Sequence, residues 1–446
     1  MGKYRIPLPL SENQLTGPIP SYAVWISKLI YIGLQNNSLN GTIPSWLFVQ
    51  HSLSSIDLSN NMLQGPIPRS VYELQNLTYL RLSSNNFSGV IKLDKLLKLK
   101  YLYYLDLSYN GLSLNINNSV NSTLRYFKTI GLASCNLSEF SNFLRVLHDL
   151  IALDLSNNKI HGEVPKWIFD VGKNTWDSLD LSHNFLTSLE CLPLKNLEYI
   201  NLHSNLFRGP LPLPPISTIV FSISNNKLTG EIPQLICSLI ALEVLDLSNN
   251  NLSGVIPQCL GNISINLSVL SLWMNSFRGI FTAAFTKGNM LRSLNLNDNQ
   301  IEGDVPLLNC RHLEELQVLV LRFNRFHGHM DTSKTKSKHH FRMRIIDISC
   351  NEFTGLLPTN YIKQFGAMMN VDEHEMKLKY MGQTYHQDSV LVVIKGYEIK
   401  LSRILTVFSI IDFSRNNFHG DIPKSIGGLN SLRGLNLSQE WSPLMQ

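Results

Sequence analysis

The sequence lacks a long apolar run. The longest candidate, LTVFSIIDF at 405–413, is far shorter than the roughly 18 residues that a membrane-spanning helix needs. The first residues, MGKYRIPL, contain no apolar stretch of signal-peptide length. We therefore expect this chain to lack both a signal peptide and a transmembrane helix.

Motifs for catalysis and metal binding are also missing. The chain has 6 cysteines, and none of them shows the Cys-x-x-Cys spacing of zinc or thioredoxin-like sites. It contains no glycine-rich phosphate loop, no His-Glu-x-x-His, no nucleophile elbow and no kinase signature. We expect no enzymatic activity, no cofactor and no metal ion.

Charge is sparse. Charged residues make up 16% of the chain, and the net charge is +5 over 446 residues. This balance gives no indication of a nucleic-acid partner.

What the sequence does contain is a repeated phrase, apolar-x-apolar-x-x-Asn, with a usual step of about 24 residues. Such a period, with leucine at alternate positions, is the signature of a leucine-rich repeat. It predicts an α/β fold: a right-handed solenoid, shaped as a horseshoe or superhelix, with a parallel β-sheet on its concave face. The asparagines of the phrase are Asn13, Asn37, Asn61, Asn85, Asn110, Asn158, Asn184, Asn205, Asn226, Asn250, Asn275, Asn299, Asn324, Asn351 and Asn416, and Cys135 takes the same place in one repeat.

The residues of the phrase indicate their own roles. In LDLSNN at 153–158, Leu153 and Leu155 should point from a strand into the core, while Asp154 and Ser156 point outward. Asn158 lies where the chain leaves the strand, and its amide can bond the backbone groups of that bend. One asparagine per coil then forms a ladder.

Most coils continue with Gly-x-Ile-Pro, as in NKLTGEIP at 226–233 and NNLSGVIP at 250–257. Glycine suits a tight bend, and proline ends a strand. This extension resembles the plant-specific class of leucine-rich repeats. The ladder then steps 65 residues from Asn351 to Asn416, about 41 more than one repeat needs, and we name the inserted residues 359–405 the island.

Repeats, island and further repeats together resemble plant leucine-rich-repeat receptor-like proteins, which are cell-surface receptors without a kinase. The predicted organisation is repeats at 1–358, the island at 359–405, repeats at 406–438 and an aberrant tail at 439–446. Repeats begin almost at Met1 without paired capping cysteines, and the last phrase breaks after LNLS at 435–438. We therefore expect truncation at both ends.

The resemblance implies a ligand-recognition ectodomain at the extracellular side of the plasma membrane. It implies binding of a peptide or protein in defence or development, with signalling through partner receptor kinases of the leucine-rich-repeat class. Two alternatives stay open: a soluble leucine-rich-repeat inhibitor of wall-degrading enzymes, and a nonfunctional receptor fragment. The island favours the receptor, because such inhibitors resemble shorter, uninterrupted repeat arrays.

Comparison among the coils indicates where a ligand would bind. Many coils repeat an outward Asp-Ser pair, which suggests scaffold. Others carry Gln35, Arg81, His203, Trp273, Asn295, Asn297, Arg322 or Phe323 at outward positions, with Asp298 just before a ladder asparagine. Trp, Arg and aromatic residues commonly anchor interfaces.

The candidates in three successive coils before the island form what we name the recognition patch, namely Trp273, Asn297, Asp298, Arg322 and Phe323. Arg81 and His203 are further candidates, and neutral drift is the alternative for all of them. The resemblance also implies that the island and the coil after it hold a co-receptor such as a somatic-embryogenesis-receptor-like kinase. That coil contributes Ser409, Ile410, Asp412, Ser414 and Arg415.

Two covalent features remain open in the sequence. Cys237 and Cys259 follow Ile-Pro in consecutive coils, so they form either a disulfide or two buried thiols. Asn-x-Ser/Thr sequons suit secretion, although the Asn- and Ser-rich repeat produces many by chance. They lie at Asn36, Asn40, Asn76, Asn86, Asn117, Asn121, Asn136, Asn251, Asn262, Asn266 and Asn436.

Overall fold

The chain is described by a computed structural model for residues 6–21, 29–116, 127–172, 175–190, 192, 196–261, 266–281, 288–304, 313–330, 341–369, 379–383, 386–394 and 396–439. It divides into two compact units, Met1–Phe207 and Arg208–Gln446. Each unit is described below by itself.

The main sheet of each unit is a row of short parallel strands, one per coil. Each strand pairs with the strand of the next coil in register, as Leu153 does with Leu179 and Leu245 with Leu270. In the first unit the strands are Ile6–Pro9, Leu29–Gly33, Ser55–Asp57, Tyr79–Arg81, Tyr104–Asp106, Thr129–Gly131, Ala152–Asp154, Ser178–Asp180 and Tyr199–Asn201. In the second they are Val220–Ser222, Val244–Asp246, Val269–Ser271, Ser293–Asn295, Val318–Val320, Ile345–Asp347, Ile410–Asp412 and Gly434–Asn436. We name the side of each sheet that carries the outward side chains the strand face.

A second row of strands follows the ladder asparagines, and short helical turns close many coils. The second row of the first unit contains Thr16–Pro18, Ser38–Asn40, Gln64–Pro66, Asn86–Lys92, Gly111–Asn115, His161–Glu163 and Phe185–Ser188. That of the second contains Arg208–Gly209, Lys227–Glu231, Asn251–Gly254, Ser276–Ile280, Gln300–Gly303, Arg325–His329, Glu352–Leu356 and Asn417–His419. The turns are the 3₁₀ helices Leu47–Val49, Arg69–Glu73, Asn142–Val146, Lys166–Asp170, Gln234–Ser238, Gln258–Gly261 and Lys424–Gly428, and the α-helical turns Leu93–Leu96, Thr359–Ile362 and Gly366–Met369.

This architecture confirms the predicted leucine-rich-repeat fold. The inward leucines form the core of each unit: Leu153, Leu155, Leu245 and Leu247 are all at most 1% exposed. Because each coil packs on its neighbours, stability accumulates from one coil to the next.

The asparagine ladder holds the bends together. The Asn158 Nδ2 donates to the carbonyl oxygens of Leu132, Leu155 and Ser156 at 2.9, 2.9 and 3.1 Å. Its Oδ1 accepts from the backbone N–H groups of the preceding coil, at Cys135 and Leu137. One buried amide therefore satisfies backbone groups of two coils.

The cysteine in the ladder makes weaker contacts. The Cys135 Sγ lies 3.6 Å from the Ala133 carbonyl and 3.9 Å from the Leu107 carbonyl, and the residue is fully buried. A thiol is a weak donor, so it fits the asparagine position and replaces only part of its bonding.

Glycine in the Gly-x-Ile-Pro segment is required by the neighbouring coil as well as by its own bend. Gly254 has φ +79°, and a Cβ there would lie 2.6 Å from the Cγ of Glu231 in the coil before it. Gly303 has φ +103°, and its Cβ would lie 2.9 Å from a methyl carbon of Ile280. At each of these positions the absence of a Cβ leaves room for a side chain of the preceding coil.

The island begins as part of a coil and then leaves it. Residues 359–369 form the helical turn of the coil that starts at Ile345, and the Met368 carbonyl accepts from the Ser431 N–H of the next coil at 2.8 Å. The boundary predicted at 359 thus falls before this turn. The described residues after it form two antiparallel pairs, Gly382–Gln383 with His386–Gln387 and Val390–Ile394 with Tyr397–Leu401. We name the second pair the island hairpin.

The structure also bears on the cysteine pair and on membrane-spanning helices. Cys237 and Cys259 are joined as a disulfide, with their Cα atoms 5.8 Å apart, so the disulfide alternative is confirmed. Across the described ranges, no helix has the length and apolarity to cross a bilayer.

We predict that Asn158→Ala lowers the free energy of unfolding by about 3 kcal/mol or more, because it leaves several buried backbone groups unbonded at about 1–3 kcal/mol each. Urea unfolding followed by circular dichroism measures this. Asn86→Ala is the control, since Asn86 is exposed in the second row, and it should change stability by less than about 0.5 kcal/mol. Equal effects of the two changes would contradict the ladder as the stabilising element.

Candidate functional site

The island packs against the strand face of the second unit. Val318, Val320, Ile345 and Ile410 of the strands are 0–5% exposed, and they form one apolar cluster with island side chains. The island side chains of this cluster are Met381, Val390, Val392 and Ile404, with Ile394, Leu401 and Phe408 packed at its edge. The chain buries these aliphatic outward residues because the island covers them.

Two ion pairs fix the island in place. The Arg292 Nε and Nη2 donate to the two carboxylate oxygens of Asp388 at 2.8 and 3.1 Å, and the Asp388 side chain is 1% exposed. The Arg322 Nη2 lies 3.0 Å from the Glu398 Oε1 in the island hairpin. The buried bidentate pair between Arg292 and Asp388 restricts the orientation of the island as well as its position. The island therefore has a defined position on the sheet.

A cleft of about 680 Å³ opens between the island hairpin and the last coils. Val393, Ile394 and Gly396 line it from the island, and Ile410 and Gly434 line it from the strands. Its charged lining residues are Arg322, Arg415, Arg433 and Asp412. Cleft, island and adjoining strands all belong to the second unit.

The recognition patch lies on the strand face, but its members differ in accessibility. Trp273 and Phe323 are half-buried and Asp298 is exposed. Asn297 is 5% exposed, and its Oδ1 has no hydrogen-bond partner. Arg322 corrects our expectation of an accessible anchor: its side chain is 5% exposed because Glu398 covers it, and its guanidinium lies 4.3 Å over the Phe323 ring.

Arg81 and His203 lie in the first unit and belong to other surroundings. The Arg81 Nε is 3.3 Å from the Asp106 Oδ2, and the neighbouring rings of Tyr79 and Tyr104 stack at 4.1 Å. The imidazole of His203 packs edge-on against His183 at 4.3 Å. These two candidates are part of polar clusters distinct from the island site.

The coil after the island is less accessible than we expected for a co-receptor surface. Ser409, Ile410, Asp412 and Ser414 are 0–5% exposed, because the island and the neighbouring strands cover them. Arg415 alone of the five is exposed, and it lines the cleft. Of these five residues, only Arg415 offers a partner an accessible side chain.

Paired aspartates lie beneath the island. Asp347 and Asp412 occupy matched positions on adjacent strands and are 2% and 3% exposed. Burial and then the charge of Asp412 raise the pKa of Asp347, while bonds from Ser349 and the nearby Arg322 oppose that rise. In the first unit, burial and then Asp180 raise the pKa of Asp154 to about 6. The outward Asp-Ser pairs are thus more buried than the sequence suggested.

The residue before each ladder asparagine has a left-handed backbone. Asn225 and Asn249 hold this position in two coils with φ of 54° and 49°, and Asn tolerates that conformation. Larger residues hold the position in both units, among them Tyr109 and His183 in the first and Met274, Phe323 and Arg415 in the second, with φ between 51° and 54°. Bulky residues at positive φ carry strain, and the repeat imposes this backbone in every coil.

Seven sequon asparagines are exposed, namely Asn36, Asn40, Asn76, Asn86, Asn136, Asn251 and Asn266. In Asn76 and Asn436 the Nδ2, the atom that would carry a glycan, donates a hydrogen bond, to the His51 carbonyl at 2.8 Å and to the Asp412 Oδ2 at 3.0 Å. Asn117, Asn121 and Asn262 lie outside the described residues.

We predict that Asp388→Asn loosens the island. Losing the charge opposite the buried Arg292 costs about 3 kcal/mol, which corresponds to roughly hundredfold faster amide exchange in Val390–Ile394 where exchange occurs by island opening. Arg342→Gln is the control, since the Arg342–Glu315 pair, at 2.7 Å, is 63% and 31% exposed. Unchanged exchange in the Asp388 variant would contradict the clamp.

We predict that stability falls as pH rises from mildly acidic to neutral. The pKa of Asp347 is raised, so its carboxyl group binds a proton more tightly in the folded state than in the unfolded state. The stability gained from that proton is complete below the unfolded pKa and is lost as pH rises through the folded pKa. Asp347→Ser should reduce this slope in urea unfolding at several pH values. Asp246→Ser, whose strand neighbours are Ser222 and Ser271, should leave the slope as it is, and identical slopes in all three proteins would contradict the pairing effect.

We predict that Met274→Asp raises the free energy of unfolding by about 1 kcal/mol, because aspartate tolerates the left-handed backbone better than methionine. Met274 is 39% exposed, so little packing is lost. Thermal unfolding measures the change. Val255→Asp, at another exposed apolar position without positive φ, should give no gain, and a gain of equal size there would remove the strain explanation.

Known proteins resemble this chain in sequence and in fold. The leucine rich repeat family profile matches residues 27–87, 149–171, 217–239 and 241–263. Receptor-like protein 53 of Arabidopsis thaliana is 35% identical over 367 residues, covering 76% of this chain and 35% of its own length. The chain therefore spans about a third of that relative.

Solved plant receptors have the same fold. The ectodomain of the membrane receptor kinase GASSHO1/SCHENGEN3 from Arabidopsis thaliana, in complex with CASPARIAN STRIP INTEGRITY FACTOR 2, matches with a TM-score of 0.67 and 25% identity over 96% of this chain and 52% of its own. The Arabidopsis receptor kinase HAESA, in complex with the peptide hormone IDA and the co-receptor SERK1, matches with a TM-score of 0.64 and 24% identity over 96% and 69%.

Proposed function

Since the chain belongs to the family of plant leucine-rich-repeat receptor-like proteins, we propose that it is the ligand-recognition part of a cell-surface receptor. It binds a peptide or protein ligand outside the cell, along the recognition patch and in the cleft beside the island. It has no catalytic role of its own in this function.

The observation that carries the proposal is the island seated on the strand face. An apolar cluster and two ion pairs hold it there, and the cleft of about 680 Å³ lies along its edge. Binding sites are generally preformed concave surfaces with mixed apolar and polar lining. This cleft has such a lining, with Ile394 and Phe408 beside three arginines.

The strand face next to the island supports the same location. Trp273, Met274, Asp298 and Phe323 present aromatic, apolar and charged groups, and Met274 and Phe323 hold a left-handed backbone that strains large residues. Aromatic and charged anchors of this kind commonly supply most of the binding energy of an interface. The ligand therefore extends from this patch toward the cleft.

Partner receptor kinases transmit the signal in this proposal. The HAESA complex contains both a peptide hormone and a co-receptor, and we place this chain in the same kind of arrangement. The co-receptor contacts the bound ligand and the exposed side chain of Arg415, because the other four residues expected at this surface are buried.

The test is a display screen of random peptides against the immobilised chain, followed by amide-exchange mapping of the selected peptides. We expect protection in 393–401 and 410–415, and weaker binding after Trp273→Ser or Ile394→Ser. Ile240→Ser is the matched control, since Ile240 is 73% exposed outside the strand face. Failure to select any peptide, or protection confined to other regions, would refute the proposed site.

A further inference from the structure

Arginine predominates among the charged residues that line the cleft beside the island. Arg322, Arg415 and Arg433 line it against the single carboxylate of Asp412. That carboxylate is already bonded, since its oxygens accept from the Ser414 N–H and Oγ at 3.0 and 2.6 Å and from the Asn436 Nδ2 at 3.0 Å. Glu398, which pairs with Arg322 from outside the lining, supplies a second carboxylate, so the cleft offers guanidinium donors rather than a large net charge.

Arg322 presents an unused donor. Its Nη2 is paired with Glu398 at 3.0 Å, whereas its Nη1 is buried and has no hydrogen-bond partner. The side chain is 5% exposed, and it is held between Glu398 and the face of Phe323. A fixed guanidinium with one free N–H group suits an incoming oxyanion, because its planar fork is preorganised.

We propose that this cleft takes a carboxylate of an acidic peptide segment. Arg322 Nη1 and the exposed Arg433 receive the oxyanion, and Arg415 adds positive charge at the mouth. Ile394 and Phe408 contact an apolar neighbour of the acidic residue. This inference rests on the proposed function and adds the chemical class of the ligand.

The experiment uses random peptides displayed against the intact chain, with selected sequences resynthesised for titration. We expect enrichment of Asp and Glu, and binding that weakens as salt rises. Arg433→Gln and Arg415→Gln should each weaken binding about tenfold, as the loss of a charged contact implies. Arg325→Gln is the matched control, since Arg325 is exposed in the second row of strands, and it should leave binding unchanged.

Arg322→Lys separates recognition from folding. Lysine can still pair with Glu398 but has no second nitrogen for the ligand, so binding should fall while the amide exchange of the island hairpin stays the same. Each selected peptide is compared as free acid and C-terminal amide, and with its acidic residue replaced by phosphotyrosine or sulfotyrosine. These arms tell a terminal carboxylate, an acidic side chain and another oxyanion apart.

The outcomes are distinct. Peptides that bind in the cleft without acidic enrichment, or that ignore the arginine changes, overturn this inference and leave the proposed function standing. Preference for phosphate or sulfate esters over carboxylates also overturns it. If no peptide binds, both proposals fall.

Discussion

Each coil must turn out of its strand without leaving buried backbone groups unbonded, and the ladder asparagine meets that requirement. At Asn158 one amide donates to three carbonyl oxygens and accepts from two N–H groups of the coil before it. Because the bond network joins neighbouring coils, it fixes the strand register along each unit. The strand face exists as a continuous surface only because this register is kept.

On that surface the outward positions are free to vary, and the second unit uses them in two ways. Val318, Val320, Ile345 and Ile410 are apolar and receive the island, whereas Met274 and Phe323 place large side chains on strained bends. The apolar residues would be exposed to water without the island, and the large residues at positive φ carry backbone strain. Both kinds of departure from the generic LDLSNN phrase occur around the island site, which is why we place recognition there.

Local periodicity was sufficient to predict the solenoid and the ladder, because these depend on contacts between neighbouring coils. It placed Cys237 and Cys259 near one another but left open whether they form a disulfide. It was not sufficient for the island. The Arg292–Asp388 pair joins residues 96 positions apart, and no repeat relates them. The outward direction of Arg322 followed from its strand position, but its burial followed from Glu398, whose location the sequence pattern does not determine. One signal was present: VLVLRFN at 318–324 and the paired IID phrases at 345 and 410 replace polar outward residues with valine and isoleucine.

The strands on either side of the island pair directly with each other, Ile346 beside Ile411, and the Phe353 N–H bonds the Asn416 Oδ1 at 3.1 Å across 63 positions. The strands thus pair directly across the inserted residues. Change in the part of the island after residue 369 leaves this pairing in place, whereas residues 359–369 belong to the coil itself and bond the next one through Met368. The residues of the island that contact a ligand can therefore change during evolution while the strand pairing of the repeats stays the same.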